Sequence, residues 1–358
     1  MQAPLRSSLR LRRNLSRPFA VSARLLSDSP ASSVAASFLS RFQSLGPQTR
    51  TQTLDANQLQ LLTLTLNRPS LFPDSPSLSN TPGSLPRQTP VPPGYHLVYF
   101  TPAFLESELG PDGTDTSYNP ETPFTRRMWA GGEVLWPRDA KGQPNPLRVG
   151  QQVSETTRVL SAEPKVVKKT GEEMIVVGVE KQFSNEHGLS IVDRRNWVFR
   201  KALPTLPASS TSKASSSDSS STSHMTTHSS SAISSAGNTH TRAYVQSPVT
   251  LFRFSALTFN PHKIHYSLPW ARDVEGHRDL VVHGPLNLIS ILDLWRDTRG
   301  TTESEPASIV PQQISYRATS PLYAGEKYTI EIQAEAELAM VQIRGPGGAV
   351  AMKAEIKG

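Results

Sequence analysis

The richest cluster of polar side chains in the sequence is the short stretch FSALTFNPHKIHY, residues 254–266. Within it, His265 could act as a general base, because imidazole titrates near neutral pH and a turn can hold it beside an apolar cavity. The amide of Asn260 could hold a substrate or a water in line. On spacing alone, a hydrogen-bonded structural histidine is the stronger interpretation. The other polar side chains of interest here are Thr258, His262 and Tyr266.

A second cluster, LVVHGPL, contains His283, Gly284 and Pro285 at the predicted start of a long apolar helix. The first turn of a helix presents free backbone N–H groups and a positive dipole potential. Glycine admits a close ligand, so the Gly284 N–H could polarise a carbonyl and stabilise enolate-like charge. A plain helix start, with Pro285 in the favoured first turn, explains the same residues equally well.

The helix that follows, over residues 282–297, is apolar on nearly every side, which predicts that it is buried. Strand-like runs come after it, the last of them beyond a Gly-Pro-Gly-Gly turn at Gly345. A long buried helix followed by a meander that can wrap it is the hot-dog arrangement. The runs before that turn are residues 312–319, 327–335 and 337–344.

The first half of the chain contains a comparable meander. Upstream of it, residues 51–67 favour a short helix with Asp55 as N-cap, and strand-like stretches begin at Tyr95 and, in the second half, at Val249 (VTLFRFSAL). The sequence therefore predicts an α+β protein, a double hot-dog in which each unit is an antiparallel sheet wrapped around a helix. The meander runs are residues 148–163, 173–184 and 189–200.

Ser and Thr dominate residues 208–237, and such a run cannot bury enough apolar surface to offset its ordering entropy. We expect a disordered linker there. The predicted organisation is a leader at 1–30, an N-terminal hot-dog at 51–203, a linker at 204–245 and a C-terminal hot-dog at 246–358.

The formal net charge of +7 is concentrated at the start of the chain. Residues 1–30 carry six arginines and one acid, which leaves only +2 for the remainder and gives no electrostatic case for nucleic acid. Their Arg- and Ser-rich, acid-poor composition predicts a mitochondrial transit peptide; a disordered basic tail is the alternative.

Metal and membrane sites find little support in the sequence. It contains no cysteine, so disulfides and thiolate ligands are excluded. His224 and His228 lie in the Ser-rich run with only Asp218 nearby, so a solvated linker is favoured over a metal site. No apolar run approaches the roughly 18 residues of a membrane span. We predict neither metal nor cofactor.

The two polar clusters, in this order and separated by YSLPWARDVEGHRD, resemble the MaoC-like hot-dog hydratases. The likeness is greatest to fungal mitochondrial hydroxyacyl-thioester dehydratases of type 2 and to bacterial mesaconyl-C4-CoA hydratases. In the first half, GYHLVYFTP, ESELGPDG and RRMWAGGEVLW are similar to the degenerate N-terminal hot-dog of that family. The resemblance covers about residues 51–203 and 246–357.

The resemblance implies that His265 is the acid/base and Gly284 the carbonyl anchor. The broader family pattern is D-x-N-P-x-H. With its N-P matched to Asn260 and Pro261, Thr258 stands at the aspartate position and two extra residues precede Ile264-His265. The carboxylate is then missing locally, and Asn260 is the first choice to replace it, followed by His262 or Thr258. The residues expected to contact the substrate are His283, Gly284, Thr258, His262 and Tyr266.

The implied reaction is the reversible dehydration of a (3R)-3-hydroxyacyl thioester in mitochondrial type II fatty acid synthesis, in the matrix. The implied carrier is acyl carrier protein or CoA, and a homodimer is possible on this resemblance. Three alternatives remain open at this point: a short-chain enoyl-CoA hydratase of the mesaconyl-C4-CoA type, a non-catalytic acyl-thioester-binding protein, and a thioesterase on the same fold.

Overall fold

The computed structural model describes residues 30–73, 75–81, 85–203, 229–299, 309–335 and 337–358. The strands are β1 (Gln48–Thr53), β2 (Arg126–Leu135), β3 (Gln152–Val166), β4 (Glu173–Asn185), β5 (Gly188–Arg200), β6 (Ser229–Ser230), β7 (Ser234–Ala236), β8 (Thr239–Val245), β9 (Gln313–Ala318), β10 (Lys327–Ala334), β11 (Leu338–Arg344) and β12 (Val350–Lys357). In the described segments they form one twelve-stranded antiparallel sheet, ordered β1-β3-β4-β5-β2-β9-β12-β11-β10-β8-β6, with β7 paired to β8.

The helices lie against this sheet. They are α1 (Pro30–Leu45), α2 (Ala56–Thr65), α3 (Pro248–Leu257) and α4 (Gly284–Arg299), with short 3-10 turns at Tyr95–Val98, Glu106–Glu108, Lys263–His265 and Pro346–Gly348 and a π-helical turn at Trp270–Val274. Within the described segments no helix is both long and apolar enough to cross a membrane.

Helix α4 is the core of the C-terminal half. Its apolar side chains from Leu286 to Leu294 are almost fully buried, on every side of the helix. The alternating pattern of β10 turns Tyr328, Ile330 and Ile332 toward the same core. Each such Leu or Ile contributes about 1.5–3 kcal/mol by leaving water, which explains why this element could be predicted from composition.

The N-terminal half covers two separate apolar clusters with the inner face of β3–β5. Near one end, Phe38 and its neighbours on α1 pack against Ile175 and Val177 of β4. Near the other end, Phe183 of β4 contacts the segment that begins with the turn Tyr95–Val98. The hydroxyl of Tyr95 donates to Asp293 of α4, so this segment also joins the two halves.

The two halves meet along a short seam between β2 and β9. Strand β2 pairs with β5 from Arg126 to Leu135, but with β9 only from Gly131 to Leu135. Both edges of the unpaired part, at Met128 on one side and Thr319 on the other, line a cavity. The sheet therefore has a gap between β2 and β9, and the cavity reaches the surface of the sheet at this gap.

Most predicted elements are confirmed, including the meander runs, the buried helix and the N-cap Asp55, whose Oδ1 accepts the Gln58 N–H. The predicted strand VTLFRFSAL is wrong. It forms α3, because Ser247 caps its N-terminus by accepting the Thr250 N–H and Pro248 occupies the first turn. The stretch at Tyr95 is a 3-10 turn and not a strand.

The predicted linker is also too long. Residues 239–245 form β8 and pair with β10, because Tyr244 is an alternate apolar position that packs into the core. Residues 1–29 of the predicted leader at 1–30 lie outside the described residues, as does most of the predicted linker, including His224 and His228.

Candidate active site

His265 lies at the end of the turn that follows α3, with its ring buried. Its Nδ1 is 2.7 Å from the carbonyl oxygen of Val281. Because a carbonyl can only accept, Nδ1 carries the proton and Nε2 keeps its lone pair. No described residue hydrogen-bonds to Nε2, and His265 lines the cavity. The ring is thus fixed in the tautomer that a general base requires.

His283 holds the other face of this ring. The His265 and His283 rings stack with centroids 3.5 Å apart and planes inclined by 19°. His283 Nε2 is 2.9 Å from the Ser255 hydroxyl, which ties the stack to α3. His283 also lines the cavity, where it was predicted to contact the substrate.

Gly284 begins α4 immediately after His283 and lies under Trp129 of β2. A Cβ at this position would be 2.1 Å from a ring carbon of Trp129, so no other residue fits without displacing the indole. The Gly284 backbone lines the cavity at the positive end of the helix. This supports the predicted carbonyl anchor and shows that the N-terminal half closes over it.

His262 is the third histidine of the site, and its ring lies edge-on to His265 at 5.4 Å. Its Nε2 is 3.8 Å from Oδ2 of Asp112, a buried carboxylate in the N-terminal half. Gly113 makes this approach possible, since a Cβ there would be 2.1 Å from the Pro261 carbonyl oxygen. Sequence reasoning missed Asp112, although the GPDG turn was a signal for a tightly held loop.

All three histidines are neutral at physiological pH. Burial is the main cause that lowers the pKa of His262 to about 3, with the charge of Arg127 adding to it. Burial likewise lowers the pKa of His265 to about 3, helped by His262 and opposed by the bond to Val281. Burial and then His265 hold the pKa of His283 well below its ordinary value. A neutral His265 is ready to accept a proton.

The remaining predicted residues differ in position. Asn260 and Thr258 both line the cavity. The Thr258 hydroxyl is engaged with the Phe254 carbonyl at 2.7 Å, so it is less available to a substrate. Tyr266 is 45% exposed and lies outside the cavity lining, so the structure does not bring it to the site.

The register of the family pattern also favours Asn260. In D-x-N-P-x-H the aspartate precedes the histidine by five positions, and Asn260 precedes His265 by five. With the alignment fixed on His265, no residues are inserted and Asn260 replaces Thr258 at the aspartate position.

The site opens into a cavity of about 780 Å³ that extends into the N-terminal half. Its far wall is an ionic layer between the two apolar clusters, formed by Arg50, Glu155, Lys181 and Arg195. Glu155 accepts from Arg50 and Lys181, each at 3.0 Å, and burial lowers the pKa of Lys181 to about 8. The cavity wall is therefore charged at these four residues.

Within the described segments, no group of three or more His, Asp or Glu side chains could hold a metal ion.

The sequence matches the family described as hydroxyacyl-thioester dehydratase type 2 over residues 94–324, more than half of the chain. It is 29% identical over 279 residues to mesaconyl-C(4)-CoA hydratase of Chloroflexus aurantiacus, which covers 77% of this chain and 86% of that protein. It is 27% identical over 266 residues to the mitochondrial hydroxyacyl-thioester dehydratase type 2 of Schizosaccharomyces pombe, covering 68% and 77% respectively.

Solved structures agree on the fold. A MaoC-like dehydratase from Phytophthora capsici superposes with a TM-score of 0.56 at 14% identity, covering 87% of this chain and 95% of that one. HtdX of Mycobacterium tuberculosis gives a TM-score of 0.50 at 11% identity, covering 87% and 100%. With the single antiparallel sheet and the buried α4, these likenesses confirm the double hot-dog fold.

Proposed function

This chain belongs to the hydroxyacyl-thioester dehydratase type 2 family, and we propose that its histidine site dehydrates (3R)-3-hydroxyacyl thioesters to trans-2-enoyl thioesters, with His265 as the base. The protein is a hydro-lyase that acts on 3-hydroxyacyl thioesters. The observation that carries the assignment of the base is the bond from His265 Nδ1 to the Val281 carbonyl. It leaves a neutral Nε2 lone pair beside the cavity and the free end of α4.

In the proposed reaction, the thioester carbonyl accepts a hydrogen bond from the Gly284 N–H. This contact acidifies C2 and stabilises the enolate-like charge that develops on the carbonyl oxygen. His265 Nε2 takes the C2 proton, the C2 electron pair forms the double bond to C3, and the C3–O bond breaks. The proton returns from His265 to the departing oxygen, which leaves as water while Asn260 holds it in line.

Replacing His265 tests the base. We expect His265→Gln to lower the rate of crotonyl-CoA hydration by about 100-fold or more, since positioned general bases contribute about 10²–10⁴-fold. The matched control is His187→Gln, because His187 is exposed on the β4–β5 turn, away from the cavity. Unchanged turnover in a folded His265→Gln protein would exclude this base. Absence of turnover in the folded wild type would favour a non-catalytic thioester-binding protein. Release of free thiol would instead indicate a thioesterase.

The proposed location is the mitochondrion, and within it the matrix and type II fatty acid synthesis, with acyl carrier protein as the carrier. The support is the name of the relative from S. pombe, and that of a second from Saccharomyces cerevisiae at 21% identity, together with the basic leader. Fusing residues 1–30 to a fluorescent protein tests the address. We propose that Arg126, Arg127 or Arg317 contacts the carrier. Light scattering would test the proposed homodimer.

A second candidate, a short-chain hydratase of the mesaconyl-C4-CoA type, is favoured by the ionic layer. Glu155 and Lys181 are buried charges in the cavity wall, and an alkyl chain laid against them would displace water from charged groups without replacing its hydrogen bonds. A short acyl group with a polar end would not leave these charged groups without hydrogen bonds. Comparing kcat/KM for medium-chain acyl carrier protein thioesters with that for C4–C5 CoA esters separates the candidates, and activity on the latter alone would refute the fatty-acid assignment.

A further inference from the structure

A histidine nitrogen of the described site is buried without a hydrogen-bond partner, and a carboxylate oxygen lies near it. His262 Nε2 is buried and has no partner, and Asp112 Oδ2 lies 3.8 Å away. The other oxygen of Asp112 is used locally, since Oδ1 accepts from the N–H of Thr114 at 3.0 Å and from its hydroxyl at 2.7 Å. The distance of 3.8 Å between His262 Nε2 and Asp112 Oδ2 is too long for a hydrogen bond, but it is short enough for the two groups to interact.

The backbone around this pair is held firmly. The Lys263 N–H donates to the Asp112 carbonyl at 2.8 Å, and the Lys263 ammonium donates to the Pro111 carbonyl at 2.6 Å. Gly113 admits the Pro261 carbonyl so closely that no side chain fits. The loop that carries Asp112 is therefore locked to the segment that carries His262, and a shift of less than 1 Å would complete the bond.

We infer that Asp112 is a positioning residue for the dehydration, which orients His262 by accepting its Nε2 proton. A carboxylate only accepts, so the Nε2–H tautomer follows and Nδ1 keeps its lone pair. His262 lines the cavity, so Nδ1 accepts the hydrogen of the substrate's 3-hydroxyl. This contact holds the hydroxyl oxygen within reach of protonated His265, because the ring centroids of His262 and His265 are 5.4 Å apart.

This inference rests on the proposed dehydratase reaction and changes none of its bonds. The proton still moves from C2 to His265 and then to the departing oxygen. What Asp112 and His262 add is the placement of that oxygen, which would supply across the two halves the carboxylate that the sequence lacks beside His265.

The test is Asp112→Asn. The amide keeps an acceptor for Thr114 but presents an N–H₂ to His262, so the ring must turn to its other tautomer. We expect kcat to fall by about 10- to 100-fold, the range of a misplaced reacting group, with KM within about threefold. The matched control is Asp139→Asn, because Asp139 holds a similar turn through bonds to Lys141 and Gln143 but is exposed and outside the cavity lining.

Two further measurements separate positioning from structure. The ¹⁵N shifts of His262 should report a protonated Nε2 in the wild type and a protonated Nδ1 in Asp112→Asn. The double variant Asp112→Asn/His262→Gln should be no slower than His262→Gln alone. Unchanged kcat, additive losses, or an Nε2 without a proton in the wild type would each overturn the inference, and the last needs no variant to fold. Because His265→Gln tests the dehydratase itself, the two failures are distinguishable.

Discussion

The three buried histidines should make the protein unusually sensitive to mild acid. His262, His265 and His283 have pKa values held far below the unfolded value of about 6.5, so the folded chain keeps them neutral while the unfolded chain protonates them. Stability from these groups is fully present above the unfolded pKa. This stability decreases as the pH falls below about 6.5, and it goes on decreasing until the pH reaches the pKa values of the folded chain.

The magnitude follows from the proton uptake. For one such histidine, lowering the pH from about 7 to about 5.5 reduces the free energy of unfolding by about 1.3 kcal/mol, so His262 and His265 together reduce it by about 2.5 kcal/mol. His283 acts in the same direction. The combined reduction is a large share of the roughly 5–15 kcal/mol of a typical domain. Urea unfolding at the two pH values measures it.

His262→Gln isolates the effect of one group. Its free energy of unfolding should change between the two pH values by about 1.3 kcal/mol less than that of the wild type, because carboxylates and the other titrating groups cancel in the comparison. His187→Gln, an exposed control, should behave as the wild type. Equal pH sensitivity in the wild type and in His262→Gln would refute the assignment of His262 as a buried neutral ring.

Three other outcomes are expected. The rate of hydration should show no loss from His265 at the usual histidine pKa, because its pKa is about 3; an acid limb near pH 6.5 that disappears only in His265→Gln would contradict this. Gly284→Ala should abolish most activity and lower the melting temperature, since its Cβ would meet Trp129 at 2.1 Å; wild-type activity would show that the indole moves freely. Asp55→Ala should lower the free energy of unfolding by about 1 kcal/mol by removing the α2 cap, whereas Asp55→Asn, which keeps an acceptor for Gln58, should lose much less, and equal losses would show that the cap bond is unimportant.

The strands and the buried helix could be predicted because their signals are local. The turn between β4 and β5 carries its own glycine, Gly188, and α4 is apolar on all sides. Local signals also misled. The residues of α3 have strand propensity. They nevertheless form a helix, which Ser247 stabilises by accepting a hydrogen bond from a backbone N–H of its first turn.

The site was predictable only in its C-terminal part. His265 and Gly284 stand in compact motifs, whereas Asp112 is 150 positions before His262 in the sequence and no periodicity links them. The ionic layer was missed for a similar reason. Glu155 and Lys181 each stand between two polar neighbours in the sequence, so their charge suggests exposed positions. The pairing of β3 with β4 brings their side chains together on the inner face.

The closeness of Trp129 to Gly284 and of Gly113 to Pro261 bears on how the protein is made. Synthesis runs from the N-terminus, so the residues that close the site emerge well before those that they close. Trp129 and Gly113 therefore lack their C-terminal contacts until the second half of the chain has left the ribosome. Catalytic activity would then be among the last properties that a nascent chain acquires. A chain truncated before α4 would contain Trp129 but not the Gly284 that it packs against.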